Sequence, residues 1–172
     1  MASVDACEIP PQSLLDGCRE RGAWADCHVA VVDADVPTPA FVEAFYTTPL
    51  FRLERALLAG LAARPSTDDE ATRLAHGERE TFAVWRVEGR RADELLVRAG
   101  RTHSWFMARP DGGAGARTRL HFGSAVDPRP GPADSPRRMG AGFHALLGFH
   151  RLYSRALLSA AVRRLAARAT GA

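Results

Sequence analysis

The segment 143–169, FHALLGFHRLYSRALLSAAVRRLAARA, decides how the rest of the chain is read. Phe143, Leu146, Leu147, His150, Tyr153, Leu157, Leu158, Ala161, Val162 and Leu165 recur at helical spacing and form one stripe. Arg151, Arg155, Arg163 and Arg168 fall mainly outside that stripe, and the late arginines suit a helix C-terminus. A helix this long with one apolar side needs a surface to cover. The segments before it supply that surface.

Working backwards, 127–142 (DPRPGPADSPRRMGAG) is rich in Pro and Gly, has no period, and reads as a long exposed loop that could gate a site. Before it the period is two. Strands are expected at 81–88, 94–99, 102–109 and 118–126, joined by short connectors rich in turn residues, which implies sequential antiparallel hairpins. The stretch 62–80 is polar and reads mostly as surface loop. Further back, Thr38-Pro39 opens a helix, Pro49 interrupts it, and Leu50, Leu53, Leu57, Leu58 and Leu61 continue at helical spacing, so two short helices follow the first strand. That strand is 26–36, DCHVAVVDADV. Residues 1–25 contain Pro10-Pro11 and read as an arm with at most one short helix near 13–21. The organisation is therefore an arm (1–25) and a single domain (26–172) of the α+β class.

Composition bounds the function. The chain has 172 residues, 46% of them apolar and 25% charged, as in ordinary globular domains. No apolar run is long enough to span a membrane and no basic start precedes an apolar core, so a cytoplasmic protein is expected. All 23 basic residues are Arg, scattered among 20 acids for a net charge of +3. Such a chain reflects GC-rich coding more than a nucleic-acid surface, so no nucleic-acid partner is expected. Cys7, Cys18 and Cys27 are odd in number and widely spaced, which reads as reduced thiols, with Cys27 half-buried. No metal or cofactor motif is present.

Strand alternation yields an expected buried face. With the last hairpin centred on 110–117, Arg109 lies opposite Thr118, Met107 opposite Leu120, Trp105 opposite Phe122 and His103 opposite Ser124. In the first hairpin Ala83, Trp85 and Val87 stand beside Leu95, Val97 and Ala99. Putting both sets on one face requires an odd-length loop or bulge near Gly100-Arg101, since a two-residue turn flips the parity. Under that register Trp85, Val97, Trp105, Met107, Phe122, Ser124 and Tyr153 would line a ligand site facing the helix, with His103 and His150 as acid–base groups. The ordinary reading of each histidine is a hydrogen-bonded core residue. A metal site from His103, His121 and His150 fails in this register, because His103 and His121 take opposite faces. Ser124 lacks a nucleophile elbow. Gly112, Gly113 and Gly115 join two strands rather than opening a helix, so they form a hairpin tip and no phosphate cradle.

The order of strand 26–36, helices 38–61, strands TFAVWRV, ELLVRA, THSWFMAR and TRLHFGSAV, and the helix from 143 resembles the helix-grip fold of the START-like (SRPBCC) superfamily. That superfamily includes polyketide cyclases, lipid carriers and pollen-allergen-like binders. THSWF, HFGSAV and GFHRLYSRALL are also similar to segments of a bacterial family and add no chemistry of their own. Five strands are counted, where the superfamily commonly has six or seven. The resemblance implies an antiparallel sheet wrapped around the long C-terminal helix and a small hydrophobic or aromatic ligand between them. Cyclase- or dehydratase-type acid–base chemistry would fit such a site. A lipid or quinone carrier, or an interaction module with a filled core, are the alternatives.

Overall fold

The computed structural model describes the backbone of residues 3–62, 66–112, 115–128 and 141–170, and the side chains of these residues outside 57–62, 141–150 and 169–170. In chain order, β1 (Asp5–Ala6) and α1 (Leu14–Glu20) precede β2 (Trp24–Val32). Helices α2 (Thr38–Tyr46), α3 (Pro49–Ala62) and α4 (Asp68–Ala75) follow. Strands β3 (Thr81–Phe82), β4 (Trp85–Arg90), β5 (Glu94–Ala99), β6 (Thr102–Pro110) and β7 (Thr118–Val126) then lead to α5 (Ala141–Thr170). The strands form one antiparallel sheet in the order β1-β2-β7-β6-β5-β4-β3. This is the α+β arrangement expected, with the two expected helices and a third, α4, after the first long strand and a long C-terminal helix, and it is compatible with a helix grip. No helix among the described residues is long and apolar enough to cross a membrane.

Seven strands are present among the described residues rather than five, for two local reasons. Residues 5–6 of the arm pair with β2. The strand expected at 81–88 breaks at Ala83, whose left-handed φ of 49° lets Phe82 fold back to pair with Trp85. Within 62–80, read as loop, α4 forms on a capping box: Thr67 Oγ1 accepts from Glu70 N–H and Glu70 Oε2 accepts from Thr67 N–H. Three acids in its first turn complement the helix dipole.

The register differs from the expected one. Gly100 (φ 60°) and Arg101 make a two-residue turn, so Ala99 pairs with Thr102 and the parity flips. The next hairpin is one residue longer, with Pro110 opposite Thr118, Phe106 opposite Phe122 and Trp105 opposite Gly123. The inner face, toward α2 and α5, therefore carries Trp85, Leu95, Val97, Phe106, Ala108, Leu120 and Phe122. Trp105 and Met107 lie on the outer face with Leu96 and Cys27.

Each face has its own cover. On the inner side Phe41 and Phe45 of α2 pack edge-on against Phe106, and Phe45 also meets Phe122 at 4.5 Å. Helix α5 packs on β2, β7 and α2, burying Leu157, Leu158, Ala161 and Val162. Thus α2, rather than α5, covers the centre of the sheet. On the outer side α1 docks through Leu15 and Cys18. Ser13 caps that helix by accepting from Asp16 N–H. Gly123 makes the docking possible, because a Cβ there would lie 2.4 Å from Leu15 Cδ2.

Candidate functional site

The expected site residues divide between the two faces. Trp85, Val97, Phe122 and Ser124 are on the inner face and Tyr153 projects toward it from α5. His103, Trp105 and Met107 are on the outer face, against α1 and solvent-side charges, so they do not converge with Tyr153. The His150 side chain and the loop 129–140 lie outside the described residues.

On the inner face the polar groups gather at the β4 end. Trp85 stacks on Phe82 and meets Phe51 and Tyr46 at ring separations of 5.8, 5.1 and 5.9 Å. Tyr46 is fully buried at the end of α2, and its hydroxyl has no hydrogen-bond partner among the described residues. Nearby, the Tyr153 hydroxyl donates to Glu54 Oε2, joining α5 to α3. Burial raises the Glu54 carboxyl above its ordinary range, and the Tyr153 hydrogen bond offsets this in part. Burial, followed by the Glu54 charge, pushes the Tyr46 phenol well up. Tyr153 is raised by burial and by its bond to Glu54. Glu54 and Tyr46 were not anticipated: Glu54 sits among exposed-looking charges in PLFRLERALL, and no pattern marked it as inward. Elsewhere on this face Ser124 Oγ donates to Asp26 Oδ1 at 2.9 Å.

A groove of about 750 Å³ opens away from these residues, between the β2–α2 connection and the last turns of α5. Val36, Ala40, Arg117, Val162, Leu165 and Arg168 line it. None of the expected site residues whose side chains are described does.

The outer face is polar beneath α1. Glu94, 1% exposed, accepts from the Leu14 N–H and the Trp105 indole N–H, each at 2.7 Å, and from Arg91 at 3.0 Å. This carboxylate ties the start of α1 to β5 and β6. His103, also 1% exposed, has Glu88 Oε2 2.7 Å from Nδ1 and Asp127 Oδ2 3.0 Å from Nε2, the second contact too oblique for a hydrogen bond. Cys18 accompanies this pair, and its sulfur accepts from Arg21 Nη2 at 3.3 Å. Burial raises the Cys18 thiol, with Arg21 opposing.

Cys7 and Cys27 are free thiols with sulfurs 3.0 Å apart. The neighbouring Cys27 thiol holds Cys7 below its ordinary range, while Cys27, hydrogen-bonded to Cys7 and buried, is raised. Cys27 is 3% exposed rather than half-buried. His121 is pushed down to about 4, first by burial and then by Arg119 and Arg109. It shares the outer face with His103, so the parity argument against pairing them does not hold. Distance separates them instead: His121 pairs with Met107, four residues along β6 from His103, about 13 Å at strand spacing.

Compared with protein-family models, curated proteins and solved structures, the chain matches none.

Proposed function

We propose that the protein binds a small hydrophobic or aromatic molecule bearing a polar group, between the inner face of the sheet and α5, where Trp85, Tyr46, Glu54 and Tyr153 meet. The supporting observation is the Tyr46 hydroxyl, fully buried and without a partner among the described residues. Leaving such a group unsatisfied costs about 1–3 kcal/mol, and a ligand oxygen or nitrogen would recover it. The surroundings fit an aromatic ligand, since Trp85, Phe51 and Phe82 supply apolar area beside two phenols and a carboxyl. The resemblance to the helix-grip superfamily points the same way, as fold-level analogy.

Acid–base chemistry of the cyclase or dehydratase type would fall to Glu54, whose raised carboxyl holds a proton nearer neutral pH than an ordinary glutamate. His103 stands on the far side of the sheet and takes no part in this reading. The second reading, an interaction module with a filled core, is favoured by the contacts among Phe41, Phe45, Phe106 and Phe122 at the sheet centre.

Native mass spectrometry of the protein from its own host, searching for a copurifying small molecule, tests ligand binding directly. Calorimetry with 2-naphthol as probe tests the site. Tyr46→Phe is expected to stabilise the free protein by about 1 kcal/mol and to weaken 2-naphthol about tenfold, since one variant removes both the orphan and its recovery. No copurifying molecule and no saturable heat would leave the filled-core reading standing.

A further inference from the structure

On the outer face, away from the proposed ligand site, Cys18, Glu88 and His103 come from three separate elements. The Cys18 sulfur, a Glu88 carboxylate oxygen and a His103 ring nitrogen all lie within 4.8 Å of one another. Each is placed by a distinct local feature. Cys18 is on the face of α1 that docks over Gly123 and is 1% exposed. Glu88 is the extra residue where the β4–β5 register shifts between Val87 and Gly89, a bulge of the kind that re-aims a side chain. His103 sits near the start of β6, opposite Arg98.

The imidazole is the decisive group. A neutral ring has one N–H, yet carboxylate oxygens stand 2.7 Å from Nδ1 and 3.0 Å from Nε2. A proton on Nδ1 can bond Glu88 Oε2, while the oblique Asp127 contact leaves Nε2 without a hydrogen bond. A metal ion in place of the Nδ1 proton would bind the ring nitrogen and the Glu88 oxygen together. The Cys18 sulfur now accepts from Arg21 Nη2 at 3.3 Å and donates to the Leu14 carbonyl at 3.7 Å, contacts through sulfur that a metal bond would outweigh. One ion would draw on the sulfur, the carboxylate and the imidazole at once.

We propose that Cys18, Glu88 and His103 form a binding site for a d-block divalent cation of the zinc class, with Asp127 as the carboxylate that orients the His103 ring. Thiolate, imidazole and carboxylate together are the donor set that zinc favours over magnesium or calcium. A carboxylate beside the far ring nitrogen of a ligating histidine is the usual outer partner of such sites. Asp127 is itself held in place: its N–H donates to the Arg101 carbonyl at 2.8 Å, and Arg98 approaches its carboxylate at 3.5 Å.

The geometry asks for little movement. Tetrahedral zinc at about 2.0–2.1 Å from nitrogen and oxygen sets those atoms about 3.3 Å apart, so Glu88 withdraws from Nδ1 by roughly half an ångström. Glu88 has room to do so, being 32% exposed and lining an open hollow of about 340 Å³ with Val84, Arg86 and Arg98. That hollow is also a route for the ion. Three protein ligands leave a fourth position for water or substrate, the stoichiometry of zinc centres that act on molecules.

The test uses the full chain under reducing conditions, with Zn²⁺ in calorimetry and Co²⁺ as spectroscopic probe. One ion per chain is expected, with a thiolate-to-cobalt charge-transfer band in the near ultraviolet. Cys18→Ser is expected to abolish the band, and Glu88→Gln to weaken Zn²⁺ at least tenfold. Asp127→Asn is expected to keep the band and weaken binding about 10–100-fold, as loss of an outer partner does. The double variant Cys7→Ser/Cys27→Ser controls for the other thiols and should bind as the parent does. Circular dichroism melts of each variant separate lost binding from lost folding. No stoichiometric binding by the parent overturns the proposal. So does a cobalt band that survives Cys18→Ser but vanishes in the double variant.

Discussion

The inner face of β6 presents Ser104, Phe106 and Ala108, and its outer face presents His103, Trp105 and Met107. Both faces are buried, by different means. The inner face meets α2 and α5 and is filled at its centre by interlocking rings, with Tyr46, Glu54 and Tyr153 gathered at one end and the Ser124–Asp26 hydrogen bond elsewhere. The outer face is covered by one seven-residue helix, too short to be stable alone. What secures that helix is a buried carboxylate, Glu94, and contact with a strand made thin by Gly123. The contrast teaches where each kind of perturbation should register. Volume changes should be felt inside, and proton or metal binding outside.

The largest effect is expected for Phe45→Ala. Phe45 touches Phe41, Tyr46, Phe51, Phe106 and Phe122, so truncation removes the ring around which the inner cluster packs. Urea denaturation should show a loss of about 3–5 kcal/mol, nearly independent of pH. A loss below about 1 kcal/mol would mean that the inner cluster collapses freely around the gap, and the contrast would fail on that side.

His121 supplies the next effect and belongs to the outer face. Its pKa is held at about 4 in the folded chain, against 6.5 in the unfolded one. Between those values the unfolded chain takes up a proton that the folded chain refuses. The stability present above pH 6.5 is therefore lost as pH falls toward 4. The size is up to about 3 kcal/mol, from 1.36 kcal/mol per pH unit. Urea midpoints of the parent and His121→Gln at several pH values check this by difference. The parent should lose stability over that window and the variant should lose less, whereas parallel curves would show that His121 is protonated without cost.

These two faces also explain which parts of the fold were legible. The helix at the C-terminus, strands β5, β6 and β7 and the break at Pro49 follow from period and turn chemistry. The register does not. A strand buried on one side alternates, whereas β6 is buried on both and reads THSWFMA, apolar at 105, 106, 107 and 108 alike. Alternation cannot choose between Trp105 and Phe106 as the inward residue, and the Gly-rich connector after β6 accommodates either register. The deciding fact was that Leu15 and Cys18 of the arm cover the outer face, which a stretch containing two prolines conceals. The two-residue turn at Gly100-Arg101 was readable and implied the parity that is observed. The capping box at Thr67–Glu70 was also readable. The inner-face polar site was only half legible: Trp85 and Tyr153 were marked, but Glu54 and Tyr46 depend on how α2 and α3 turn at Pro49. The cluster at His103 was not legible, since its partners are 85 and 15 residues away in sequence and meet only once α1 has docked and β4 has bulged.

The smallest effect is the most selective. A Cβ at position 123 would stand 2.4 Å from Leu15 Cδ2, 2.9 Å from the Asp26 carbonyl oxygen and 3.2 Å from the Trp105 ring. Leu15 can move, but the Asp26 oxygen belongs to the neighbouring strand and cannot move without disturbing β2. Gly123→Ala should therefore cost about 1–3 kcal/mol by overpacking. The cost should fall on α1 first. Hydrogen exchange should quicken at the amides of α1 well before those of α2 or β6, because the inner cluster does not depend on this contact. Leu15→Ala should relieve part of the clash, so the double variant should lose less than the two single losses combined. Additive losses would place the strain in β2 rather than under α1, and the outer face would then be held by its strands and not by its short helix.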